Sequence, residues 1–185
     1  MLTSRLAAGL LAFALAVLPP MTVRTALAAS ASEINRDANT ALNKLYETQP
    51  DAKKLAARAK GILVFPSIYK AGFMFGAQYG EGALRKGNKT VGYYNSVAAS
   101  YGLQAGAQQF GYVLFFMNDG ALAYLDKTGG FEIGSGPSIV VLDEGTAKTM
   151  SSTTLSQDVY AVIFNQKGLM GGLGLQGSKI SKIQK

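Results

Sequence analysis

Residues Lys60 to Arg85, KGILVFPSIYKAGFMFGAQYGEGALR, decide how this chain is read. Taken as extended from Ala71 on, the stretch sorts by parity. Odd positions carry Ala71, Phe73, Phe75, Ala77, Tyr79, Glu81 and Ala83; even positions carry Gly72, Met74, Gly76, Gln78, Gly80, Gly82 and Leu84. Side chains alternate across a strand, so one face is aromatic and the other is largely bare backbone. Glycine weakens a strand unless the strand bends or something packs close. Two readings follow: a curved strand with another element pressed against its bare face, or a ligand lying on that face.

Outward from this stretch the pattern repeats. Lys86-Gly87-Asn88-Lys89 is a polar turn, which makes a hairpin. Thr90 to Gly106 again separates Val91, Tyr93, Val97, Tyr101 and Leu103 from glycine, alanine and serine, with Tyr94 the exception. Further strands are expected at Ile62–Phe65, stopped by Pro66, and at Ala107–Met117, Phe131–Gly134, Pro137–Leu142, Gln157–Asn165 and Leu169–Ile180. Ala121–Lys127 fits a helical turn or a strand. Upstream, Ser30 to Gln49 has the apolar 3,4 spacing of a helix (Ile34, Ala38, Ala41, Leu42, Leu45), opened by the capping-box pair Ser30 and Glu33. Pro50 opens a second helix that Gly61 can end. The fold class is therefore α+β: a helical pair, then a curved, largely antiparallel sheet that closes or half-closes into a barrel. Phe73, Phe75, Tyr79, Tyr93, Tyr101 and Phe115 are expected to fill its core.

The first 28 residues have the form of a signal peptide: Arg5, the apolar run Leu6–Leu18, and Ala26-Leu27-Ala28 as a small-x-small cleavage site. That apolar run is short for a membrane span. Residues 29–185 are then one domain, with a helical segment at 29–60 and a β-rich body at 61–185. The expected location is the periplasm or cell envelope. With no cysteine in the chain, lipoprotein attachment and disulfides are excluded.

Without histidine or cysteine, Ser-His-Asp and Cys-His catalysis are impossible, and a metal site would need oxygen ligands throughout. No calcium-loop motif occurs. Gly172-Leu-Gly174-Leu-Gln-Gly177 matches a dinucleotide fingerprint but has no room for a crossover helix and second strand after it. Gly82-Ala-Leu-Arg-Lys-Gly87-Asn-Lys-Thr90 approaches a phosphate loop but lacks the helix that would aim its amides. These features imply a chain that is not an enzyme and takes no cofactor. Removing the leader, with Arg5 and Arg24, leaves 16 cations against 11 acids, a formal charge of +5. That suits an anionic surface and falls short of the dense basic stripe of a nucleic-acid binder. Lys53, Lys54, Arg58 and Lys60 crowd the second helix. They form either an ordinary solvated face or a cationic face for lipid phosphates.

Ala59-Lys60-Gly61 before an aliphatic run, Lys70-Ala71-Gly72-Phe73, and Lys167-Gly168-Leu169 with Gly171 and Gly174-Leu175-Gln176-Gly177-Ser178 together resemble the opening and closing signatures of the SYLF domain. Gln176 stands where the closing signature usually carries Glu. The resemblance implies a lipid-binding domain related to yeast and animal actin-patch proteins, whose relatives bind phosphoinositides. For an exported chain it implies anionic phospholipid rather than actin as partner. It also implies where lipid would be met: the cations Lys53, Lys54, Arg58, Lys60 and Lys70, and the apolar positions Ile34, Leu42 and Leu45. The rival expectation is a scaffolding envelope protein that binds other proteins.

Overall fold

The structure is a computed structural model that describes residues 28–127, 130–142, 156–168, 175 and 177–185; the side chains of 101–105 are not described. The expected leader and most of the expected Leu169–Ile180 strand lie outside these residues.

Helix α1 spans Ala31–Thr48. Its capping box is made as the sequence predicts: Ser30 N donates to Glu33 Oε2 at 2.8 Å, and Glu33 N donates to Ser30 Oγ at 3.3 Å. Helix α2 covers Asp51–Arg58 and ends at Ala59. Gly61 does not cap it but opens a strand, where a Cβ would stand 2.7 Å from Leu122.

Two strands dominate the sheet, β1 (Gly61–Lys86) and β2 (Lys89–Phe116), paired antiparallel from Gly61↔Phe116 to Lys86↔Lys89. The expected break at Pro66 is only a register shift between Phe65 and Ile68, and the expected gap at Gly106 does not exist. At Pro66 the strand runs on because a bulge absorbs the residue that cannot join the ladder, and at Gly106 the ladder is unbroken, with Gly72 opposite Gly106 and Ala71 opposite Ala107. The chain continues through helix α3 (Asp119–Ala123), a 3-10 turn (Tyr124–Asp126), β3 (Phe131–Glu132), β4 (Ile139–Leu142), β5 (Val159–Gly168) and β6 (Lys179–Ile183). Residues 166–168, which fall between two of the expected strands, extend β5. On the edge of β2 away from β1, β6 pairs with Tyr93–Val97 and β5 with Gln108–Phe116. β3 flanks β6, and β4 lies beside β5 as the one parallel pairing among the described strands.

The sheet curls into a half-barrel because the hairpin folds over on itself. A Cβ at Gly82 would lie 2.4 Å from the Val64 carbonyl oxygen, and one at Gly80 2.5 Å from that of Ser67. The late part of β1 therefore presses its bare face onto the early part, and the close-packing reading of the glycine face holds. The bend sits at residues 72–76. There a Cβ on Gly72 would meet the Gly76 Cα at 2.4 Å, Met74 takes a left-handed φ of 61°, and the register shifts between Phe73 and Phe75.

Alternate residues of the central strands feed two cores. Leu63, Phe65, Tyr112, Leu114, Phe116, Ala161 and Ile163 face the inside of the curl with Phe131 and Leu122. Val64, Val113, Phe115, Tyr160, Val162 and Phe164 face outward, where Ile34, Ala38, Ala41 and Leu45 of α1 cover them. Both faces are buried, which is why these strands read as continuous apolar runs. Asn35 fixes α1 to the hairpin, donating to the Tyr93 hydroxyl and accepting from Thr90 Oγ1, both at 2.8 Å. The last residue, Lys185, donates to the Ala29 carbonyl at 2.8 Å and pairs with the largely buried Glu81 at 2.9 Å.

The expected core needs correction. Phe115 is buried and Tyr93 is half-buried, but Phe73 is 74% exposed, Phe75 69% and Tyr79 47%. The Tyr101 side chain lies outside the description. Curvature is the reason. A sharply bent hairpin has room for hydrogen atoms on its concave side, so glycines turn inward and aromatics outward.

Candidate functional site

The basic residues of α2 lie beside a cleft of about 700 Å³ between the two helices and the tip of the β1–β2 hairpin. Ala52 and Leu55 anchor α2 in the core, which leaves Lys53, Lys54, Arg58 and Lys60 exposed on its outer side. Lys53 lines the cleft directly. Lys54 is held by Asp51 one turn back. Lys60 donates its backbone N–H to the Phe116 carbonyl at 2.7 Å, which fixes the chain between α2 and β1 while its side chain stays in solvent.

Arg85 joins this group from the far side. It lines the same cleft, and its guanidinium donates to the Asn88 carbonyl across the hairpin turn at 2.9 Å. Asn39, Asn43 and Asn88 supply neutral donors, and Leu42, Tyr46 and Ile62 supply an apolar wall. Burial pushes the Tyr46 hydroxyl above its ordinary titration range, and the positive charge of Arg85 opposes that shift. The cleft can therefore take an anionic group with an apolar portion beside it. Arg85 was legible only as one cation of the phosphate-loop-like run at the hairpin tip. The fold, not an amide cradle, gives that run its place.

The other expected residues fall elsewhere. Ile34 and Leu45 are 3% and 0% exposed, both within the core beneath α1; Leu42 is half-buried on the cleft wall. Lys70 is not beside α2. It pairs across the ladder with Gln108, both 8% exposed on the inward face near the bend of the hairpin. The structure thus brings Lys53 and Arg85 to one cleft, with Lys54 and Arg58 nearby on α2 and Lys60 just beyond its end, and separates Lys70 from them. Among the described residues no helix is long and apolar enough to cross a membrane.

Residues 97–185, from the middle of β2 to the last residue, match a family model described as "Ysc84: Las17-binding protein actin regulator". Over that span, close to half of its length, the chain is similar to the SYLF (Ysc84) family. The closing signature around Lys167–Ser178 falls inside the matched span, and the opening signature around Ala59–Phe73 precedes it. No curated protein matches the chain. The two SYLF signatures meet in the fold, since Lys70 and Gly168 both pair with Gln108, from opposite edges of β2.

Proposed function

We propose that this SYLF-like protein is an exported, non-enzymatic lipid-binding protein that docks on anionic phospholipid through its basic N-terminal region. The observation that carries this reading is the meeting of Lys53 and Arg85, from α2 and the hairpin tip, across a cleft with an apolar wall. A lipid phosphate fits between the two cations, and glycerol or upper acyl carbons fit against Leu42 and Tyr46. Each basic residue near an anionic surface contributes about 1 kcal/mol, so the set gives reversible, salt-sensitive docking. An actin partner does not suit an exported chain, and phosphoinositide is one anionic headgroup among several the cleft could take.

Co-sedimentation with vesicles containing phosphatidylglycerol tests this. The double reversal Lys53→Glu with Arg85→Glu is expected to lower the partition coefficient roughly tenfold or more, because two favourable contacts become repulsive. Lys44→Glu, on α1 and away from the cleft lining, is the matched control and is expected to change it far less. Equal binding of the double variant and the wild-type chain would remove the cleft from the mechanism.

One feature favours scaffolding as a second reading. Among the described strands β1 pairs with β2 alone, so its 26 residues leave an outer edge to which a partner strand could add. A stoichiometric protein complex with no response to lipid would favour that role.

A further inference from the structure

We propose, building on the lipid-surface reading above, that the bend of the β1–β2 hairpin is a wedge that enters the interfacial region of an anionic bilayer. At this elbow Phe73, Met74 and Phe75 are 74%, 47% and 69% exposed in succession. Exposed aromatic and apolar side chains this concentrated on a chain with an otherwise well-filled core mark an interaction surface. Met74 stands in the left-handed region, outside the ladder between Phe73↔Ala105 and Phe75↔Tyr101, so three large side chains are delivered from one tight bend. The backbone on either side of Met74 is paired within the hairpin, which suits it to a medium poor in hydrogen-bond partners.

Charge selects the occupant. Two rows of side chains run across the outer face from the flanks of the elbow. Tyr69 pairs with Gln109 and Gln109 with Lys167; Tyr79 pairs with Val97 and Val97 with Lys179. Each row starts on an exposed tyrosine and reaches an exposed lysine two strands away, about 10 Å at the usual strand spacing. Tyrosine beside lysine around an apolar tip is the arrangement that suits the headgroup level of a membrane, with the aromatic at the interface and the cation among phosphates. The acids near the base of the elbow are already engaged: Glu81 by Lys185 and Asp37 by Arg36. Glu132, one strand beyond Lys179, is the outermost residue of its row.

The chain contains no tryptophan, so Phe73→Trp is a single reporter in the full chain. Val141→Trp, at a 42% exposed position on β4 away from both the elbow and the cleft lining, is its control. Both are mixed with phosphatidylglycerol–phosphatidylcholine vesicles whose acyl chains carry bromine near the headgroup. The wedge requires a blue shift and quenching at position 73 and neither at 141. It also requires the double variant Phe73→Asp with Met74→Asp to lower binding roughly tenfold in high salt, where wild-type binding rests on inserted apolar area. Sedimentation of the chain with vesicles but no quenching at 73 overturns the wedge and leaves the lipid reading standing. Failure of the wild-type chain to sediment with these vesicles overturns both. A dimer in lipid-free solution that Phe73→Asp dissociates, with no quenching at 73, overturns the wedge in favour of a second copy of the chain on the same surface.

Discussion

The two ends of β1 and its middle obey one alternating pattern with opposite outcomes. From Gly61 to Ile68 and from Gly80 to Leu84 nearly every large apolar side chain is buried; from Tyr69 to Tyr79 the aromatics stand in solvent and the glycines turn inward. At the ends, both faces of the hairpin are covered, by α1 on one side and by the rest of the hairpin on the other. In the middle the hairpin bends, its concave side has no room for a Cβ at Gly72, and the aromatics of the convex side stay largely exposed. Alternation identifies two faces, but curvature chooses which one is inside.

Adding one methyl group to the concave face should break this arrangement most severely. Gly82→Ala puts a Cβ 2.4 Å from the Val64 carbonyl oxygen, a backbone atom that cannot rotate away. A loss of about 3 kcal/mol or more is expected in chemical denaturation, against about 1 kcal/mol for Gly87→Ala at the open hairpin tip, whose only penalty is its left-handed φ of 57°. Near-equal losses at the two positions would mean that the two parts of β1 do not pack as closely as described.

The same residue type then separates core from elbow. Phe65→Ala, at a fully buried position, is expected to cost about 3–5 kcal/mol, whereas Phe73→Ala, eight residues along the same strand, should stay within about 0.5 kcal/mol. Thermal melts of both variants measure the contrast. A large loss at Phe73 would place that ring in a core rather than on a contact surface.

A smaller effect lies at the margin of the elbow. Burial, with help from the hydrogen bond to Glu81 and its negative charge, raises the Tyr79 hydroxyl to about 12. The folded chain therefore favours the neutral phenol. The stability this supplies is complete below the unfolded value near pH 10 and is lost as pH climbs through about 12. Tyr79→Phe should flatten that alkaline limb slightly, and ultraviolet titration should lose a late-ionising tyrosine. An unchanged late titration would assign the shift to another tyrosine.

Much of this was legible in the residues. The capping box at Ser30 and Glu33, the apolar stripe of α1, the hairpin at Gly87-Asn88 and the apolar runs of the central strands all depend on local geometry, and all are found. The stripe Ile34 and Leu45 was legible as apolar but not as core, because a helix that coats a sheet and one that coats a membrane need the same spacing. Arg85 and Lys53, 32 positions apart, and the separation of Lys70 from the α2 cations could not be read from spacing, since both depend on where the hairpin folds back.

By itself the sequence determined the α+β class, the lack of thiol and imidazole chemistry, the basic balance of the chain and the SYLF signatures. Those properties follow from which side chains are present and how they repeat over a few residues. The tertiary structure alone decided which face of the hairpin is inside, which cations share a cleft and which aromatics remain in water. Each of these depends on a bend at Gly72–Gly76 that brings distant backbone into contact, and contact between distant segments is a property of the folded chain rather than of any short stretch of it.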